Sequence, residues 1–101
     1  MRSMIDILLP SKVRRKLVAF FVSHPEGEFY IREVERATQA DFRSVHMELA
    51  RLEKAGLLHS RRVANLKYYR LDKAYPLYPE LRSIVVKTRG WEEDKAAVAA
   101  T

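Results

Sequence analysis

Between Arg43 and Arg51 the chain sets Arg43, Ser44, His46, Met47 and Arg51 close together, and from Lys54 to Leu71 it carries five basic residues (Lys54, Arg61, Arg62, Lys67, Arg70) and no acidic one. A guanidinium is a planar fork that grips a phosphate, a carboxylate or the edge of a guanine with two parallel hydrogen bonds. A serine hydroxyl and an imidazole both donate and accept, whereas a thioether offers only apolar contact. Such a set recognises an anion or a base edge; it does not make or break bonds. The groups that do are missing. There is no cysteine, which removes disulfides, thiolate metal sites and a thiol nucleophile. His24, His46 and His59 lack the spacing of a metal pair, and neither paired carboxylates, a nucleophile with its base nor a phosphate-cradling glycine loop is evident. The expectation is a protein that is not an enzyme and has no cofactor and no metal.

The total charge agrees with the local clusters. Nineteen Lys and Arg against thirteen Asp and Glu leave a formal +6 over 101 residues, an excess that favours a polyanionic partner. The length fits one domain, and the longest apolar run, Leu17 to Val22, is far short of the roughly 20 residues that cross a bilayer. With Asp6 and no small-residue cleavage site near the start, a secretory signal is not expected either, and a cytoplasmic location is.

The elements that must carry these residues follow from periodicity. Ser11 reads as the N-cap of a first helix ending near Ser23, with Val13, Leu17, Phe20 and Phe21 on one face and Arg14, Arg15 and Lys16 on a solvated one. Glu28 to Tyr30 reads as a short extended stretch, followed by a short helix with Ile31, Val34 and Ala37 as its stripe. Thr38-Gln39-Ala40 interrupts, Asp41 caps, and a helix runs from Phe42 to Ala55. At about 100° per residue its core face is Val45, Leu49 and Leu52, with Phe42 and Ala55 at the edges; Arg43, Met47, Ala50, Arg51 and Lys54 lie opposite, flanked by Ser44 and His46. Gly56 closes it. Leu57 to Val63 and Lys67 to Leu71 read as two strands of a hairpin with a basic tip, in which Tyr68 and Tyr69 are packing residues. A last helix covers about Leu77 to Thr88. The predicted fold class is α+β, mostly α: a helix bundle with a two- to three-stranded antiparallel hairpin, occupying residues 1–90, with residues 91–101 as a tail or a partner-bound helix.

Two short helices joined by a three- to four-residue turn form a helix-turn-helix, and the ordered set resembles the winged helix-turn-helix regulators of the ArsR/MarR kind. The resemblance is carried by Leu9-Pro10-Ser11-Lys12-Val13-Arg14, Glu28 to Val34, Ser44 to Leu49, Arg51 to Leu58 and Lys67-Tyr68-Tyr69-Arg70-Leu71, and spans about Leu8 to Gly90. It implies a bacterial or archaeal, nucleoid-associated protein that binds double-stranded DNA to regulate transcription, as a homodimeric repressor. In such a fold the second helix of the motif enters the major groove. Arg43, Ser44, His46, Met47 and Arg51 would then face the bases and adjoining phosphates, with Arg43 on a guanine and Met47 against a thymine methyl. Arg61, Arg62, Asn65 and Lys67 would set the wing against phosphate or the minor groove, and Arg32 would add a phosphate contact. Helix one and the last helix, with Trp91, would form the dimer interface.

A narrower likeness concerns Pro76 to Arg82 and Lys87 to Gly90, which are similar to the connector helix of relatives that continue into a nucleotidyltransferase-like domain. The alternative reading is therefore a protein-interaction module, or a DNA-binding subunit for a separate chain of that enzymatic kind. Three departures stand out. Gln39 occupies a turn position usually given to glycine, where a left-handed residue costs about 1–2 kcal/mol. Met47 stands where many relatives have a polar or basic side chain. The cysteine motif of the metal-sensing branch is missing, so metal regulation is not implied, and whether a small-molecule effector exists is not legible in the sequence.

Overall fold

The computed structural model describes residues 11–87. In chain order the elements are α1 (Lys12–Ser23), β1 (Glu28–Tyr30), α2 (Ile31–Thr38), α3 (Phe42–Ala55), β2 (Leu58–Val63), β3 (Leu66–Leu71) and α4 (Tyr78–Lys87). The predicted tail, with Trp91, lies outside the described residues.

Local chemistry sets the boundaries. The Ser11 hydroxyl accepts from the Arg14 N–H at 3.2 Å and starts α1. The Glu33 carboxylate accepts from the Tyr30 N–H at 3.0 Å and starts α2. Asp41 caps α3 by accepting from the Ser44 N–H, and hydrogen bonding to Ser44, through its hydroxyl first and its N–H second, holds the Asp41 carboxyl below the ordinary aspartate range. At the far end Gly56 takes φ 94°, and the Gly56 and Leu57 N–H groups return to the carbonyls of Glu53 and Leu52, both at 3.0 Å. This is the paired closure that a left-handed glycine permits.

The three strands form one antiparallel sheet in the order β1-β3-β2, with Tyr30 opposite Tyr68 and Arg61 opposite the same Tyr68 on the other side. The sheet and helices enclose a core whose fully buried members are Leu17, Phe21, Val34, Val45, Leu49, Leu58 and Leu71. Burying each of these leucines and its neighbours contributes about 1.5–3 kcal/mol. Phe29 bridges sheet and α1, its ring centroid 4.7 Å from Phe20 and 6.0 Å from Phe21. It also covers Gly27, where a Cβ would fall 2.4 Å from the Phe29 ring, so any larger residue would require that ring to move.

Three expectations are corrected. Arg14 and Arg15 do not lie on a solvated face: Arg15 is buried, and Arg14 is turned onto the carboxylate of Glu48. Phe42, placed at the edge of the core, is 54% exposed, while buried Glu48 takes the core-side place. In α2 the stripe passes through Thr38 rather than exposed Ala37, because the Thr38 hydroxyl satisfies itself on the Val34 carbonyl at 2.7 Å. Of the tyrosines, Tyr69 is in the core and Tyr68 is half-buried edge-on against Tyr30.

Candidate nucleic-acid interface

α2 and α3 pack on each other around Val34, Val45 and Leu49, and both rest on α1. The turn between them is closed by Gln39, at φ 54°, ψ 37°, whose N–H donates to the Glu35 carbonyl at 2.7 Å. With the core-facing arc of α3 fixed, its first two turns present Arg43, His46 and Met47 outward, all exposed, with Ser44 half-buried beside them. Arg43 has no ion pair among the described residues, so its guanidinium is available to a ligand. The His46 ring lies parallel to the Phe42 ring, with a 6° interplanar angle and centroids 5.8 Å apart. On α2, Arg32 and Arg36 are both exposed and one turn apart, which places two cations on one edge of that helix.

Further along α3 the charges are already engaged. Glu48 accepts from Arg14 Nε at 3.0 Å and Nη2 at 3.1 Å, and from Arg51 Nη1 at 3.0 Å. Burial pushes its carboxyl up, but the hydrogen bonds and charges of the two arginines outweigh that, and the group ends below its ordinary range. Glu53 holds the hairpin: it accepts from the Ser60 hydroxyl on β2 and pairs with Lys67 Nζ on β3 at 3.4 Å. Those partners keep its carboxyl low, the serine hydrogen bond first.

The hairpin turns in two residues, Ala64 and Asn65, beyond the last pair Val63 and Leu66. Ala64 sits at φ 55°, a strained place for a side chain. The extreme tip is not basic: Val63 and Leu66 are exposed apolar residues on either side of it, and the cations stand back along the strands. Arg61 reaches across β3 to Glu28 on β1, with Nε and Nη2 both 2.7 Å from the carboxylate. Arg62 is exposed and without an ion pair among the described residues. His59 is a strand residue whose Nε2 lies 2.7 Å from Asp72 Oδ2.

No protein-family model and no curated protein sequence matches the chain. Solved structures do match. The transcriptional repressor BigR from Xylella fastidiosa is 29% identical, with 79% of this chain and 78% of that one aligned and a TM-score of 0.62. A homodimeric winged helix-turn-helix DNA-binding domain from Mycobacterium bovis is 20% identical over 87% of this chain and 90% of its own, with a TM-score of 0.58. A MarR family transcriptional regulator from Silicibacter pomeroyi is 14% identical over 96% of this chain and 68% of its own, with a TM-score of 0.63. The fold is a winged helix-turn-helix.

In a winged helix α3 is the recognition helix and β2-β3 the wing. The ten residues named from the sequence divide accordingly. Arg32, Arg43, His46, Met47, Arg62 and Asn65 are exposed, Ser44 is half-buried, and none of the arginines among them has an ion pair among the described residues. Arg51, Arg61 and Lys67 are each held by a carboxylate. Sequence reasoning passed over Arg36, which shares the free edge of α2 with Arg32, although its i, i+4 spacing was there to be read. It also passed over Glu28, Glu48 and Glu53, the acids that hold these cations. Among the described residues no cluster of His, Asp or Glu is arranged to hold a metal ion, and no helix is long and apolar enough to cross a membrane.

Proposed function

We propose that the chain is a sequence-specific, double-stranded DNA-binding regulator of transcription that acts as a homodimeric repressor. The observation that carries this reading is the exposed Arg43, without an ion pair among the described residues, on the first turn of the recognition helix of a winged helix-turn-helix. In this fold that turn enters the major groove, where an arginine reads guanine. Ser44, His46 and Met47 complete the base-facing set. Arg32 and Arg36 on α2, and Arg62 and Asn65 on the wing, take phosphates on either side and fix the register. Arg51, Arg61 and Lys67 contribute mainly by holding α3 and the wing in place, since a phosphate would have to displace a carboxylate from each. The solved neighbours support the reading in kind: one is a repressor and another a homodimeric DNA-binding domain.

Exposed Leu77 and Val86, at either end of α4, favour a dimer through this helix and α1, on which α4 packs. Two recognition helices related by a two-fold axis would meet half-sites about 34–36 Å apart.

Fluorescence polarisation of a labelled random duplex at two salt concentrations tests the proposal. The expected outcome is binding that weakens steeply with salt, each lost phosphate contact lowering the log–log slope by about 0.9. Arg62→Ala should shift that slope, whereas Arg43→Ala should chiefly cost selectivity. Absence of binding at low salt would refute the regulator reading.

A further inference from the structure

Six large hydrophobic side chains are exposed among the described residues, and Phe42, Met47, Val63 and Leu66 of these lie on the recognition helix and at the wing tip. Phe42 and Met47 are the informative pair. With about 100° between successive residues, the outward arc at the start of α3 runs Phe42, His46, Arg43, Met47, so Arg43, which has no ion pair among the described residues, stands between Met47 on one side and the paired rings of His46 and Phe42 on the other. Neither flank is incidental in shape. The His46 ring lies parallel to the Phe42 ring, centroids 5.8 Å apart, and Met47 is 46% exposed on a flexible, polarisable stem.

In the major groove the one apolar feature that a base pair presents is the C5-methyl group of a pyrimidine. We infer that, granted the DNA-binding reading above, the recognition helix reads a guanine through Arg43 and 5-methylpyrimidines on both sides of it, through Phe42 with His46 on one flank and Met47 on the other. The methyl group belongs to thymine or to 5-methylcytosine. Burying one methyl against an apolar side chain corresponds to about a fourfold change in affinity, enough to select among sites already gripped through their phosphates.

The test uses the full chain. A duplex is selected from an unmethylated random pool and from a pool methylated at cytosine C5. Each thymine of the selected site is then replaced by deoxyuridine, or each 5-methylcytosine by cytosine, which removes the methyl group and keeps the pairing. Affinity should fall about fourfold at positions beside the guanine. Phe42→Ala should abolish the difference on one side and Met47→Ala on the other, with the salt slope unchanged; both residues are exposed, and thermal melts would verify that each variant is folded. A site from the first pool identifies thymine as the source, and tight sites only from the second identify 5-methylcytosine. Equal affinity with and without every methyl group, in a chain that binds its selected duplex, overturns this inference alone. Failure to bind any duplex overturns the DNA reading as well.

Discussion

Glu48 shows how single residues in this chain join stability to function. Its carboxylate is almost fully buried yet ionised, because Arg14 from α1 grips it from one side and Arg51, one turn further along α3, from the other. Removing Arg14 leaves a buried acceptor without its main partner, and Arg14→Met should lower the unfolding free energy by roughly 1.5–3 kcal/mol in denaturant titrations. The sign of the pH dependence follows from the depressed carboxyl. A carboxylate with a lower pKa in the folded state contributes stability above the unfolded value, near 4.3, and loses it as pH falls through the folded value. Wild type should therefore lose more stability between about pH 5 and pH 3 than Glu48→Gln, and thermal melts across that window would measure it. Agreement between the two profiles would mean that the arginines are not holding the charged form. A different balance governs Arg61. Glu28→Gln releases a guanidinium on the wing, so DNA binding should gain affinity at low salt and a steeper salt slope. An unchanged slope would mean that Arg61 stays away from phosphate even when free.

Elements were legible where the signal is local. Ser11, Asp41 and Gly56 mark helix ends by their own backbone chemistry, and α3 runs from Phe42 to Ala55 as its periodicity predicts. What the sequence did not disclose depends on partners far along the chain: Arg61 and Glu28 are 33 positions apart, and Arg14 and Glu48 are 34. A run of arginines looks the same whether it faces water, phosphate or a buried glutamate, so Arg14 and Arg15 read as solvated, and the carboxylate partners of Arg51, Arg61 and Lys67 could not be read at all. Phe42 went wrong for another reason, since angular position says nothing about whether a neighbour exists beyond a helix end. The turn before α3 was legible in its cost. Gln39 does adopt the left-handed conformation, and Gln39→Gly should stabilise the chain by about 0.5–1 kcal/mol once the greater freedom of glycine in the unfolded state is subtracted. A higher melting temperature would register it. Should stability instead fall, the side chain must be making a contribution that outweighs its strain.

For the whole molecule, the open question is how one small reading head achieves selectivity. A single winged helix touches few base pairs, and discrimination at about 1–3 kcal/mol per bidentate contact is small against the competing sites of a genome. A two-fold dimer multiplies the preferences of two half-sites, and its strength then rests on a surface remote from the bases. Val86, 61% exposed on α4, belongs to that surface in the proposed assembly and is not part of the core formed by the described residues. Val86→Glu should leave the monomer folded, since no core contact is lost, yet place a charge in the interface that must be desolvated. Sedimentation should then show a shift from dimer to monomer, and affinity for a duplex with two half-sites should fall toward that for one half-site. If Val86→Glu instead remains a dimer with undiminished two-site affinity, the two copies meet through another face, and the half-site spacing expected from α4 pairing must be discarded with it.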